Sequence, residues 1–282
     1  MGTRFELVLA GGARGDLLAA GEAALEEIEE WHRRLSRFAP DSLVSHINRT
    51  AHDAPVRLDR ETFALLTDAV RVWRDSDGAF DIAVAPLMAQ HGFPASAAGR
   101  GNADATSASI ALDADAWTIR FTRPGVSLDL GGIGKGHALD CAAAVLRRHG
   151  VARALVHGGT SSVVAIGAPE GAGGWRIAVG SNGDPHVVTL RDAALALSDP
   201  HSQRSSLAAG HLVDPRTARM VPRAGLVAVV GPSARMADAW ATALVVLGST
   251  PPAFPSEYCA TFLGSASMRE LTTQTSERAN NP

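Results

Sequence analysis

The chain has 282 residues, 46% hydrophobic and 20% charged, with a net charge of −3 and its acidic and basic residues interspersed. That length can bury a sizeable core as one large domain or two interleaved lobes, and the even charge gives no patch for nucleic acid or a membrane surface. Two cysteines, Cys141 and Cys259, far apart and in no CxxC or Cys/His cluster, argue against a structural zinc or a disulfide framework, and no apolar window is long enough to span a bilayer.

Aromatic residues are 5% of the chain with a single Tyr, so the core is expected to be Ala, Val and Leu. The opening MGTRFELVLAG shows no charged and apolar leader pattern; as given, the chain is expected in the cytoplasm, and exported or membrane-associated if a leader was cut away. Residues 3–9 alternate as a strand. From 16 to 38, Leu18, Leu25, Ile28 and Leu35 fall on one helical face, with charged residues around them. His32, within that pattern, reads as a surface or packing residue because no second ligand sits four residues away.

A second helix begins near Asp59, with Phe63, Leu66, Val70 and Trp73 on one face, and stops at the DSDG turn of 75–78. Residues 94–107 are small and polar, a loop. Strands follow at 108–112, 116–122 and 126–130. A helix over 136–149 carries Ala138, Leu139, Ala142, Val145 and Leu146 and ends at Gly150. Cys141, inside it, reads as a small buried thiol. Short strands come next at 152–156, 163–167, 175–180, 186–190 and 193–197, then a strand at 225–230 and a helix after Pro232 closed by Gly248. Runs of consecutive strands favour antiparallel meanders with helices packed on them, so the expected class is α+β. One domain over 1–282 is expected, with 272–282 a frayed tail.

Three stretches could carry chemistry. SLDLGGIGKGHALD (127–140) feeds glycines into a helix, yet it lacks the lead glycine and the Lys-Ser/Thr ending of a Walker loop, and Gly132, Gly134 and Gly136 do not make GxGxxG. A helix N-terminus beside Lys135 attracts an anion, while Asp129 suits a ligand hydroxyl or a metal ion. In MADAWAT (236–242), Asp238 and Thr242 project from one helical face, two hard oxygen donors that suit magnesium, among small alanines that leave the pair buried and in need of a partner. In GHLVDPRT (210–217), His211 precedes a turn and has the chemistry of a general base near neutral pH.

Taken in order, MGTRF, LSRFAPDSLVSHIN, DGAFDIAVAPLMAQHGF, LDLGGIGKGHALD, HLVDPRT and MADAWATAL resemble the motifs of the FAD:protein FMN transferases, the ApbE-type flavin transferases. The resemblance spans nearly the whole chain. It implies an ApbE-like two-lobed α+β fold with largely antiparallel sheets. It also implies magnesium-dependent transfer of FMN from FAD to a threonine or serine of a flavoprotein acceptor, with AMP released. By resemblance, Ala79, Phe80 and Asp81 line the flavin site with Phe38 and Met1 nearby. Asp129 accepts a hydrogen bond from the adenosine half of FAD, and Lys135 meets the pyrophosphate. Magnesium is held by the Gly132 carbonyl and the side chains of Asp238 and Thr242, and His211 matches the catalytic histidine.

The chain departs from the family pattern at HGGTSS, where His157 stands for an Asn and Ser161 for an Asp. It departs again at ALSDPHSQ (196–203), through Asp199 and Pro200, and at Ala218, where the family has glycine after DPRT. These changes fall on the acceptor side of the expected site. They leave open a protein that binds FAD without transferring FMN, or an FAD pyrophosphatase giving FMN and AMP.

Overall fold

In a computed structural model of the chain, residues 3–97, 101–180, 186–200, 212–221 and 225–263 are described. Strands that carry apolar residues on both faces build the main sheet. Strands β1 (Phe5–Ala10), β5 (Arg153–Gly158), β6 (Ser162–Ile166), β9 (Ala194–Ser198), β12 (Leu226–Gly231) and β13 (Cys259–Leu263) pair antiparallel in the order β1-β5-β6-β9-β12-β13. One set of side chains (Val156, Val164, Ala196, Val229) points into the larger core. The alternate set (Leu155, Val163, Leu195, Ala228) points into a smaller one, as the period of two requires. The smaller core is roofed by the ribbon β7 (Trp175–Val179) and β8 (His186–Leu190), with Trp175, Ile177 and Leu190 buried against the sheet.

Helices cover the other face: α1 (Arg14–Leu35), α3 (Arg60–Asp75), α5 (Gly134–Arg148) and α6 (Ala234–Leu247), with short α2 (Leu43–Thr50) and α4 (Ala85–Gln90) at their edge. A separate three-stranded sheet joins β2 (Val56–Arg57), β4 (Thr118–Phe121) and β3 (Ile110–Asp113) in that order, and β10 (Val213–Asp214) pairs with β11 (Arg219–Met220). The α+β class expected from the sequence is the one observed, and the largest fully buried side chain is Trp240. Among the described residues no helix is long and apolar enough to cross a membrane.

Several local expectations are corrected. Of the expected α1 stripe Ile28 and Leu35 are buried, but Leu18 and Leu25 are 56% and 43% exposed, and Ala20, Ala24 and Trp31 complete the buried face. The buried face of α1 includes two alanines, which a stripe counted on leucines misses. Likewise α3 turns Leu65, Leu66, Ala69 and Val72 inward, leaving Phe63, Val70 and Trp73 at the margin. Residues 126–130 are extended but join no ladder. Their backbone is satisfied by the Asn48 carboxamide, whose Oδ1 accepts from Leu128 N (2.7 Å) and whose Nδ2 donates to Leu128 O (3.2 Å). The Asp129 N–H goes to Ile82 O (2.7 Å). A side chain thus stands in for a neighbouring strand. The expected tail at 272–282 lies outside the described residues.

Candidate functional site

The glycine turn and the late helix meet because α5 and α6 cap each other. Ile133, at the start of α5, has no side chain able to accept from the first turn. Asp238 of α6 supplies that acceptor, taking the Gly136 N–H on Oδ2 at 2.7 Å. In return Asp140 of α5 caps α6, accepting from Ser233 Oγ (2.7 Å), Ala234 N (2.9 Å) and Arg235 N (3.0 Å). Each carboxylate lies where the partner helix exposes free N–H groups and the positive end of its dipole. Burial raises the Asp140 carboxyl above the ordinary range, and the same N–H and O–H donors pull it part of the way back. A Cβ on Gly136 would collide with the Ala234 carbonyl, so only glycine allows this crossing.

Asp238 is 5% exposed and fully engaged. Besides Gly136, its oxygens accept from Ser162 Oγ (2.7 Å) and from Lys135 Nζ (3.1 and 3.0 Å). One turn on, Thr242 donates its hydroxyl to the Asp238 carbonyl (3.1 Å), which leaves the Oγ1 lone pairs free of that bond. Gly132 lies against the same spot. A Cβ there would be 3.4 Å from Thr242 Oγ1 and 3.0 Å from Phe80 Cε2. The Asp238 carboxylate, the Thr242 hydroxyl one turn on and the Gly132 turn thus neighbour one another beside the Lys135 ammonium. Carboxylate and hydroxyl oxygens are the hard donors that magnesium takes, and in this structure the carboxylate oxygens accept from Lys135, Gly136 and Ser162.

Around this point the other predicted residues divide. Ala79 and Phe80 are buried at 2% and 3%, and Phe80 packs on the glycine turn. Asp81 is occupied by the protein itself: its carboxylate accepts from Ala83 N (2.7 Å), Ser107 N (3.1 Å) and Ser107 Oγ (2.6 Å), pinning 81–83 to the 107–109 turn. Burial pushes that carboxyl upward, and the same three donors offset part of the shift. Asp129 accepts from Gly131 N (2.8 Å) and pairs with Arg37 Nε (2.9 Å). Arg37, 7% exposed, also donates to Pro94 O (2.8 Å) and lies 4.1 Å over the exposed ring of Phe38. A guanidinium thus ties the Phe38 loop to the strand end at Asp129. Met1 and His211 lie outside the described residues.

Two residues escaped sequence reasoning. Arg37 sits inside LSRF, yet its partner is far along the chain, so no spacing announces it. Ser162, not Ser161, reaches Asp238 across 76 positions; the HGGTSS stretch was the only signal. Of the departures from the family pattern, His157 lies in β5 opposite Val163 and Glu6, and burial holds its ring below the ordinary histidine range. Ala218 adopts φ 55°, a left-handed turn position that explains why glycine is at home there. Its carbonyl meets His91 Nε2 at 2.9 Å.

The ApbE family model matches residues 1–253. The FAD:protein FMN transferase of Salmonella typhimurium is 28% identical over 248 residues, which are 79% of this chain and 69% of that protein. Its namesake in Rhodobacter capsulatus is 31% identical over 235 residues, 78% of this chain and 45% of that one. Among solved structures, the ApbE protein of Thermotoga maritima matches with a TM-score of 0.76 at 27% identity, over 88% of this chain and 84% of that one. The flavin transferase ApbE of Vibrio cholerae matches with a TM-score of 0.74 over the same shares, and at 24% identity it bears on the fold alone.

Proposed function

Because this chain belongs to the ApbE family, we propose that it is a magnesium-dependent transferase moving FMN from FAD to a threonine or serine hydroxyl of an acceptor protein, with AMP released. The observation that carries this reading is the nearness of Lys135, Gly132, Asp238 and Thr242 to one another, with the Phe80 ring against the glycine turn. Asp238, Thr242 and the Gly132 carbonyl would hold magnesium. That ion supplies charge neutralisation at the diphosphate.

The chain's own residues do the rest. Lys135 reaches a diphosphate oxygen by swinging its flexible stem off Asp238, and its ammonium offsets the negative charge that gathers on departing AMP. Gly136 N–H and Ser162 Oγ keep the Asp238 carboxylate oriented meanwhile. Asp129, held by Arg37, faces the adenosine half as a hydrogen-bond acceptor. Phe80 and Ala79 exclude water from the flavin side. The acceptor hydroxyl oxygen bonds to the FMN-side phosphorus as the bond to the AMP oxygen breaks, and the hydroxyl proton passes to His211, the proposed base.

Incubation of the purified chain with FAD, magnesium and a threonine-bearing acceptor should yield AMP and FMN-labelled acceptor in equal amounts. Free FMN without acceptor would mark a pyrophosphatase, and bound FAD without AMP a binding protein. Full turnover in Asp238→Ala would refute the assignment of that carboxylate.

A further inference from the structure

Along α5, just past the glycine turn, His137, Cys141 and Glu61 are among the residues that line a cavity of about 210 Å³. His137 and Cys141, one helical turn apart, put Nε2 3.7 Å from Sγ. Glu61 of α3 brings a carboxylate oxygen to them, and the three ligand atoms lie within 4.8 Å of one another. The sequence reading found no Cys/His cluster; the fold makes one by adding a residue from another helix.

The imidazole needs an explanation. His137 is 1% exposed, among the described residues its Nδ1 has no hydrogen-bond partner, and its Nε2 meets the Cys141 thiol, a poor partner. Trp31 fixes the ring edge-on at 4.2 Å between centroids. The geometry points to a transition-metal site of zinc type on His137, Cys141 and Glu61, separate from the magnesium-type oxygen donors around Asp238.

Zinc–sulfur and zinc–nitrogen bonds of about 2.3 and 2.1 Å at a tetrahedral angle put S and N about 3.6 Å apart. The observed 3.7 Å needs no rearrangement. Glu61 is exposed on α3 and has the freedom to close its remaining distance, and water completes the four ligands. Thiolate and carboxylate balance the double charge of the ion. Arg148 and Arg235 also line the cavity, beside Glu27 and Asp140, and Arg235 is paired with Asp68 at 2.7 Å. A borderline-soft ion is selected because sulfur and imidazole nitrogen disfavour magnesium and calcium. Burial holds His137 neutral, with its pKa lowered to about 3, so its ring is ready to ligate. Burial also pushes the Cys141 thiol up to about 12, so its proton leaves only when zinc replaces it. Bound there, the ion staples α3 to α5, whose first turn carries Lys135.

The test uses the full chain stripped with EDTA, titrated with Zn²⁺ against a chromogenic chelator and separately with Co²⁺. Expected are one zinc per chain and one proton released per zinc at pH 7.5, because the S–H bond is exchanged for S–Zn while His137 and Glu61 bring no proton. Cobalt should give a thiolate charge-transfer band. Cys141→Ser, nearly isosteric, should abolish the band and weaken zinc binding by about tenfold or more, as should Glu61→Gln on the exposed helix without the loss of the band. Thr242→Ala should change neither reading. Absence of the band in the parent, its survival in Cys141→Ser, or zinc uptake without proton release would each overturn the site. Thermal melts in EDTA confirm that each variant is folded.

Discussion

Replacing Asp238 by alanine tests the hub of the site through stability before any turnover is measured. The change strips an acceptor from three donors at once: Gly136 N–H, Ser162 Oγ and Lys135 Nζ. The first two are buried and would be left unsatisfied, at about 1–2 kcal/mol each. Lys135, 18% exposed on its side chain, can turn to solvent and contributes about 1 kcal/mol. The sum, about 3–5 kcal/mol, corresponds to about 5–8 °C in Tm for a chain of this length. Asp238→Asn keeps the volume and one oxygen, loses the charge attraction, and should cost about 1–2 kcal/mol, or about 2–3 °C. Scanning calorimetry in EDTA without FAD gives both values. Adding magnesium and FAD to about 100 times Kd should raise the parent's stability by about 2.7 kcal/mol and leave Asp238→Ala unmoved. An Asp238→Ala chain melting within about 1 °C of the parent, or stabilised by magnesium and FAD as much as the parent, would refute the reasoning.

Other outcomes follow from the same contacts. With His137 held at about 3 in the fold against about 6.5 unfolded, the unfolded chain takes up a proton that the native one refuses. Stability in EDTA should therefore fall by about 1.4 kcal/mol per pH unit as pH drops from about 6.5 towards 3. Urea titrations at pH 7 and 4.5 should show that share of the loss missing in His137→Phe. Arg37→Met cuts the link between Asp129 and the Phe38 loop and should weaken FAD binding by about 10-fold or more, or about 1.4 kcal/mol, as read by flavin fluorescence; unchanged affinity would place adenosine recognition elsewhere. Ala218→Gly relieves a left-handed residue and should gain about 0.5–1 kcal/mol by urea unfolding, whereas a loss would show the turn to be unstrained.

Periodicities local to the chain reached far into this protein. The short apolar stretches at 152–156 and 163–167, punctuated by glycines, are legible as strands, and they appear as β5 and β6. The stripe from Ala138 to Leu146 is buried as read. Asp238 and Thr242, four positions apart, share a helical face in any α-helix, and the glycine turn runs into a helix as expected. The expected site strand at 126–130 failed because its partner is the Asn48 side chain, which no periodicity encodes. Leu18 and Leu25 failed because the face of α1 that packs inward runs through Ala20, Ala24, Ile28, Trp31 and Leu35, and alanines weigh little in a stripe counted on leucines.

What tertiary structure alone decided are the meetings between distant segments: Ser162 and Lys135 on Asp238, Arg37 on Asp129, Glu61 beside His137 and Cys141. A residue type and its spacing determine which way a side chain faces within its own element. Which foreign group it then meets depends on how the elements pack, and a buried charge or imidazole takes its chemistry from that neighbour.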